Sequence, residues 1–151
     1  EMNAKSQYYH DLRLPSQKHA ELGLIRVEVL QCFGLPSLTV RDPSAYAVVV
    51  LGSLAFKTDV MPPVSNPMWL AKMRRACLFP IQAAYHRLYV GVFDNGVPEQ
   101  LITHNAEEYL GRIVIDLARL RPGSMYDLIL PLRQSNHVYT KQPQGSIRVR
   151  L

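Results

Sequence analysis

The chain is poor in the features that place a protein quickly. Its 151 residues hold two cysteines, Cys32 and Cys77, with no CxxC spacing. That excludes a disulfide framework and a multi-cysteine metal site, and it favours a reducing compartment. No apolar run approaches the roughly 18–20 residues of a membrane-spanning helix, and no leader peptide is visible. Charged residues are only 19% and apolar ones 48%, a balance that excludes a solvated disordered tail. Catalytic signatures are missing as well. The five histidines, His10, His19, His86, His104 and His137, show no metal spacing. There is no nucleophile elbow, phosphate loop or glycine-rich dinucleotide loop. The expectation is a non-enzymatic protein with no resident cofactor.

The length suits one folded domain with a core large enough to need no staple. The net charge is +5, and arginine supplies twelve of the seventeen basic residues. Such a balance favours anionic partners such as phospholipid head groups or acidic protein surfaces. Apart from Arg74-Arg75 and Arg119/Arg121 the cations are scattered, without the basic, aromatic-interleaved face that nucleic-acid binding needs. No nucleic-acid partner is expected.

Period-2 alternation dominates the chain and predicts half-buried strands. Ile25, Val27 and Val29 alternate with Arg26 and Glu28; Leu88, Val90 and Val92 with Tyr89, Gly91 and Phe93. The same pattern recurs at Ile113, Ile115 and Leu117, at Leu128 and Leu130, and at Ile147, Val149 and Leu151. Residues 45–51 and 54–60 form two more strands around Gly52-Ser53, and Phe79 with Ile81 marks another. About eight strands with Gly, Pro, Asn and Asp turns read as an all-β, antiparallel β-sandwich. Residues 70–77 suit one or two helical turns with Arg74 and Arg75 outside. Two long connections, through Leu38 to Pro43 and from Asp94 to Glu108, are where function is expected. Residues 1–21 read as a linker or docking segment and 22–151 as the domain. Residues 8–29 also echo residues 126–151: each has a tyrosine, a short leucine strand, a proline, then Gly-x-Ile-Arg-Val. A fragment of a tandem array explains the echo, as does coincidence between amphipathic strands.

The landmarks fall in a recognisable order. They are Gly34-Leu35-Pro36, Ser44-Ala45-Tyr46, Lys57-Thr58, Asn66-Pro67-Met68-Trp69, Val92-Phe93-Asp94, Tyr109-Leu110-Gly111 and Gly145-Ser146-Ile147. From about residue 22 onward this order resembles the C2 domain family, with Asn-Pro-x-Trp the most specific element. Starting on the strand before Leu-Pro and closing on Gly-Ser-Ile resembles the type II topology. The resemblance implies an eight-stranded Greek-key sandwich whose end loops meet membranes or proteins. It also implies one module of a tandem C2 protein. For Asn-Pro-x-Trp the residues point to architecture: Pro67 fixes φ and biases Asn66 to extended geometry, and Trp69 buries a large ring.

The family holds calcium in a cup of aspartates from two end loops, and calcium requires six to eight oxygens, several of them anionic. By position, Ser44 and Leu38 replace the first-loop aspartates, Asp94 matches, Gly96 replaces the next and Glu108 the last. No metal site is expected; Asp94, Glu108 and Asp42 are the weak candidates. The family's second lipid site, a basic cluster on two strands, is eroded too. Tyr46, Val48 and Val50 face away from Ala47, Val49 and Leu51, with Val48 and Val50 where lysines are usual. Lys57 is retained and Asp59 replaces another lysine. This apolar stripe, Tyr46, Val48 and Val50 with Lys57, is a candidate interaction face, for the chain's own Tyr8, Tyr9, Leu12 and Leu14 or for another module. The loop tips Leu38, Val40 and Arg41, and Val97, Leu101 and Ile102, are candidates for shallow membrane insertion. Two functions are therefore carried forward. One is a calcium-independent module that targets or tethers a cytoplasmic protein to anionic phospholipid membranes. The other is a protein-interaction or scaffold module that uses the apolar strand face without lipid or calcium.

Overall fold

The computed structural model describes residues 21–37, 40–95, 109–134 and 145–151. Eight strands follow in order: β1 (Glu21–Phe33), β2 (Ala45–Leu51), β3 (Leu54–Lys57), β4 (Ala76–Gln82), β5 (Arg87–Asp94), β6 (Tyr109–Asp116), β7 (Asp127–Pro131) and β8 (Ser146–Arg150). They form two four-stranded antiparallel sheets, ordered β4-β1-β8-β7 and β3-β2-β5-β6. The first and last strands are neighbours, with Glu28 opposite Arg150.

The alternation read from the sequence becomes the layer between the sheets. Val27, Val29, Ile147 and Val149 face Ala47, Val49, Leu88, Val90, Val92, Leu110 and Ile113, all buried. Cys32 lies in this core and Cys77 is half-buried beside it. Burial pushes both thiols up, Cys77 to about 11, so they remain protonated packing groups.

Two glycines are required by the fold. Gly111, at φ +154°, lies where an added Cβ would sit 2.8 Å from the Leu132 side chain. Gly145, at φ +82°, leads into β8 where a Cβ would sit 2.5 Å from the Phe33 carbonyl oxygen.

Trp69 joins the sandwich to the long β3–β4 connection. Its side chain is fully buried. Its backbone N–H donates to the Leu30 carbonyl at 3.0 Å. Its indole Nε1 donates to the Asp59 carbonyl at 2.8 Å. The residues before it complete the attachment to β1 and its exit: the Cys32 N–H donates to the Pro67 carbonyl at 2.9 Å, and the Gly34 N–H to Asn66 Oδ1 at 2.8 Å. Asn-Pro-x-Trp therefore acts as architecture.

Three expectations are corrected. Residues 70–77 form no helical turns: Met73 N–H bonds back to Leu70 in a tight turn, and β4 begins at Ala76 because its backbone pairs with β1. Arg75 does not point outward. Its guanidinium donates to the Trp69 carbonyl and to Glu28, where Arg26 brings a second cation, each guanidinium 3.2 Å from the carboxylate. That pairing satisfies a buried carboxylate on the outer side of β1. The strand read over 54–60 stops at Lys57, since the Thr58 hydroxyl turns inward to accept the Ala47 N–H at 2.9 Å. Asp59 thus leaves the sheet face, and its carboxylate accepts the Arg74 N–H.

On the outer side of β7 and β8, Asp127 takes two bonds from Arg148, both 2.8 Å, and one from Arg150 at 3.2 Å. The hydrogen bonds from Arg148 hold its carboxyl well below the usual range, down to about 2.

This packing sets two expectations. Trp69→Ala is expected to lower stability by about 3–5 kcal/mol. Trp69→Phe keeps most of the buried ring and loses the indole hydrogen bond, so about 1–3 kcal/mol is expected. Urea unfolding of both variants checks the order. Because the folded pKa of Asp127 lies below its unfolded value, its contribution is present above roughly pH 4 and fades as the pH falls through about 2. The melting-temperature gap between the parent and Asp127→Asn is expected to close over that window.

Candidate functional site

Two surfaces carry the candidate residues: the outer face of the β3-β2-β5-β6 sheet, and the sandwich end where β2 begins and β5 stops. The face is built by register. Tyr46 lies opposite Phe93, and Phe93 opposite Tyr109, forming an aromatic row. The Tyr46 and Phe93 rings stack at 5.5 Å between centroids, and Phe93 meets Tyr109 at 5.6 Å, tilted. The next row runs Lys57, Val48, Gly91, Arg112. The third runs Ala55, Val50, Tyr89, Val114. Alternation places these side chains on one side and Ala47, Val49, Val90 and Val92 in the core.

Two cations border the apolar floor, each set over a ring. Lys57 Nζ sits 4.1 Å from the Tyr46 centroid, and the Arg112 guanidinium 5.9 Å from that of Tyr89. A shallow cleft of about 470 Å³ is lined by Val48, Val50, Tyr89, Gly91, Phe93, Tyr109 and Arg112. The Phe93 ring leans over Gly91, whose added Cβ would lie 3.0 Å from it. Partial burial pushes the Tyr109 phenol up, and Arg112 opposes that shift. Tyr109 is therefore neutral at physiological pH.

Alternation alone places Tyr46, Val48, Val50 and Lys57 on this side. Their neighbours Tyr89, Gly91, Phe93, Tyr109 and Arg112 join the face through strand pairing. The signal was present in the outward set of β5, Tyr89-x-Gly91-x-Phe93, but joining it to β2 requires the pairing register.

At the sandwich end, Asp94 is opposite Ala45 and is buried. Its Oδ1 accepts the Ser44 N–H at 2.9 Å, and the Asn95 N–H donates to the Ser44 carbonyl at 2.9 Å. The carboxylate thus ties the end of β5 to the entry of β2. Asp42 is exposed and takes a long 3.5 Å contact from the Ser37 hydroxyl. No three His, Cys, Asp or Glu side chains among the described residues come close enough to share a metal ion. Of the weak metal candidates, Asp42 and Asp94 are described and Glu108 is not; a calcium ion needs several anionic oxygens converging on one point. Val40 is fully exposed on the connection leading to Ser44, and Arg41 beside it is exposed. Leu38, Val97, Leu101, Ile102 and Glu108 lie outside the described residues, as do Tyr8, Tyr9, Leu12 and Leu14.

A family model for the C2 domain matches residues 23–132, most of the chain. The chain belongs to the C2 domain family. Solved structures agree on the fold. The first C2 domain (domain A) of plant extended synaptotagmin 1 superposes with a TM-score of 0.68 at 20% identity, covering 87% of this chain and 93% of that one. A structure of extended synaptotagmin 2 that holds its SMP domain and C2 domains A and B gives 0.65 at 16% identity over 87% of this chain. This C2 domain spans only 27% of that chain. A C2 domain-containing protein from a putative elicitor-responsive gene gives 0.63 at 17% identity, covering 90% and 91%. No curated protein matches the chain. Among the described residues, no helix of the C2 domain is long and apolar enough to cross a membrane.

Proposed function

We propose that this C2 domain, residues 22–151, is a non-enzymatic module that brings a larger cytoplasmic protein to anionic phospholipid membranes without calcium, with residues 1–21 as its linker or docking segment. The observation that carries the reading is at the sandwich end. Asp94 is buried and hydrogen-bonded to the Ser44 N–H, while Val40 on the same connection is fully exposed. A carboxylate engaged in holding two loops together is poorly placed to ligate an ion. An apolar tip with Arg41 next to it suits shallow insertion beside lipid phosphates. Leu38, Val97, Leu101 and Ile102, which lie outside the described residues, are assigned to the same membrane contact in this reading. One small wedge binds weakly, so neighbouring modules would supply avidity. The match to one part of a multi-domain chain supports a modular setting, as does the echo between residues 8–29 and 126–151.

A second reading is favoured by the stacked aromatic row and the apolar cleft of the β3-β2-β5-β6 sheet. There the domain docks a protein, and Tyr46, Val48, Val50 and Lys57 belong to the contact.

Cosedimentation with vesicles of phosphatidylserine and phosphatidylcholine tests the first reading. Pelleting is expected to be equal in calcium and in chelator, to fall with salt, and to drop severalfold in Val40→Asp and in Leu101→Asp/Ile102→Asp. Pelleting that appears only with calcium, or that ignores these substitutions, contradicts it.

A further inference from the structure

We propose that the outer face of the β3-β2-β5-β6 sheet binds an extended acidic protein segment, in which a large apolar side chain stands between two carboxylates in the pattern acidic-x-apolar-x-acidic. The proposal rests on the second reading above and names the chemistry of the partner.

The register carries it. Lys57, Val48, Gly91 and Arg112 form one row across four adjacent strands, with a cation at each end and an apolar floor between. Three inter-strand steps of about 4.8 Å set the two cationic positions about 14 Å apart. An extended segment advances about 3.4 Å per residue and turns residues i, i+2 and i+4 to the same side. Its i and i+4 side chains are therefore also about 14 Å apart. Carboxylates at those positions reach Lys57 and Arg112 together, and the residue at i+2 comes down on the cleft between Val48, Val50, Tyr89 and Phe93. None of the described residues lining that cleft is acidic.

Other occupants fit less well. A phosphorylated head group needs cations that converge on it, whereas Lys57 lies over Tyr46 and Arg112 over Tyr89, rings on different strands and in different rows of the face. A second copy related by two-fold symmetry brings Lys57 and Arg112 against the same cations. Adding a strand at the β6 edge is blocked near Arg112, whose backbone N–H and carbonyl already bond to Arg133 at 2.9 and 3.0 Å. The segment therefore lies across the face.

The test is a synthetic peptide array probed with the full chain. Each peptide carries a central Phe, Leu or Trp flanked by two Glu residues spaced i,i+2, i,i+4 or i,i+6. Neutral and doubly Lys-flanked sets complete the array. The i,i+4 acidic peptides are expected to bind best. Affinity should fall about fivefold in each of Lys57→Glu and Arg112→Glu, and be lost in Val48→Asp. The Lys57→Glu/Arg112→Glu pair should prefer the Lys-flanked i,i+4 peptides. These positions are at the surface, and unchanged melting temperatures confirm that the variants fold.

Binding indifferent to flanking charge or spacing, yet lost in Val48→Asp, overturns the acidic pattern and leaves the face a protein contact. No binding by any peptide overturns both. Phosphatidylserine vesicles that pellet the parent but not the Lys57→Glu/Arg112→Glu pair overturn the proposal in favour of a membrane contact.

Discussion

The burial of Trp69 is the constraint on which the rest of the domain depends. The ring is fully enclosed; the Trp69 backbone N–H donates to the Leu30 carbonyl and the indole N–H to the Asp59 carbonyl. One bond attaches the β3–β4 connection to β1; the other holds the segment that leaves β3. Arg75, turned inward by its bond to the Trp69 carbonyl, brings a cation to the buried Glu28. Pro67 and Asn66 add hydrogen bonds to Cys32 and Gly34. One four-residue element thus positions the end of β1, the start of β4 and the edge of the opposite sheet. It is also the most specific resemblance in the sequence, because a large ring with a polar handle tolerates few alternatives in such a site.

The strands were legible because each has one buried and one solvated side, so the apolar pattern repeats every second residue. All eight appear at the segments that alternation marks, with β3 ending at Lys57 and β6 at Asp116, short of Leu117. The differences arise where a side chain replaces a regular backbone feature. Thr58 reads as a continuing strand, but its hydroxyl accepts the backbone N–H of Ala47 and the chain turns away. The apolar and basic spacing of 70–77 reads as helical, yet backbone pairing with β1 outweighs that local pattern. Arg75 reads as exposed because its buried partner, Glu28, is 47 residues away.

The candidate surfaces were half visible for the same reason. Tyr46, Val48, Val50 and Lys57 lie on adjacent strands joined by a two-residue turn, so their common side followed from alternation. Phe93, Tyr109 and Arg112 complete the face through long-range pairing that a single sequence does not display. That Ser44 and Leu38 stand where the family has aspartates is what the resemblance implies by position, and Leu38 lies outside the described residues. What Asp94 does instead was not readable, because its partner is a backbone N–H. Together these features describe a C2 domain whose described surfaces are shaped by apolar contact and scattered cations, not by a cluster of carboxylates.

The sandwich end is the place where calcium would bind. The most direct measurement is a calcium titration of the 151-residue chain followed by backbone amide NMR shifts. No saturable movement of Asp42, Ser44, Asp94 or Asn95 is expected up to millimolar calcium. Saturable shifts at these residues with a micromolar midpoint would contradict the calcium-independent reading.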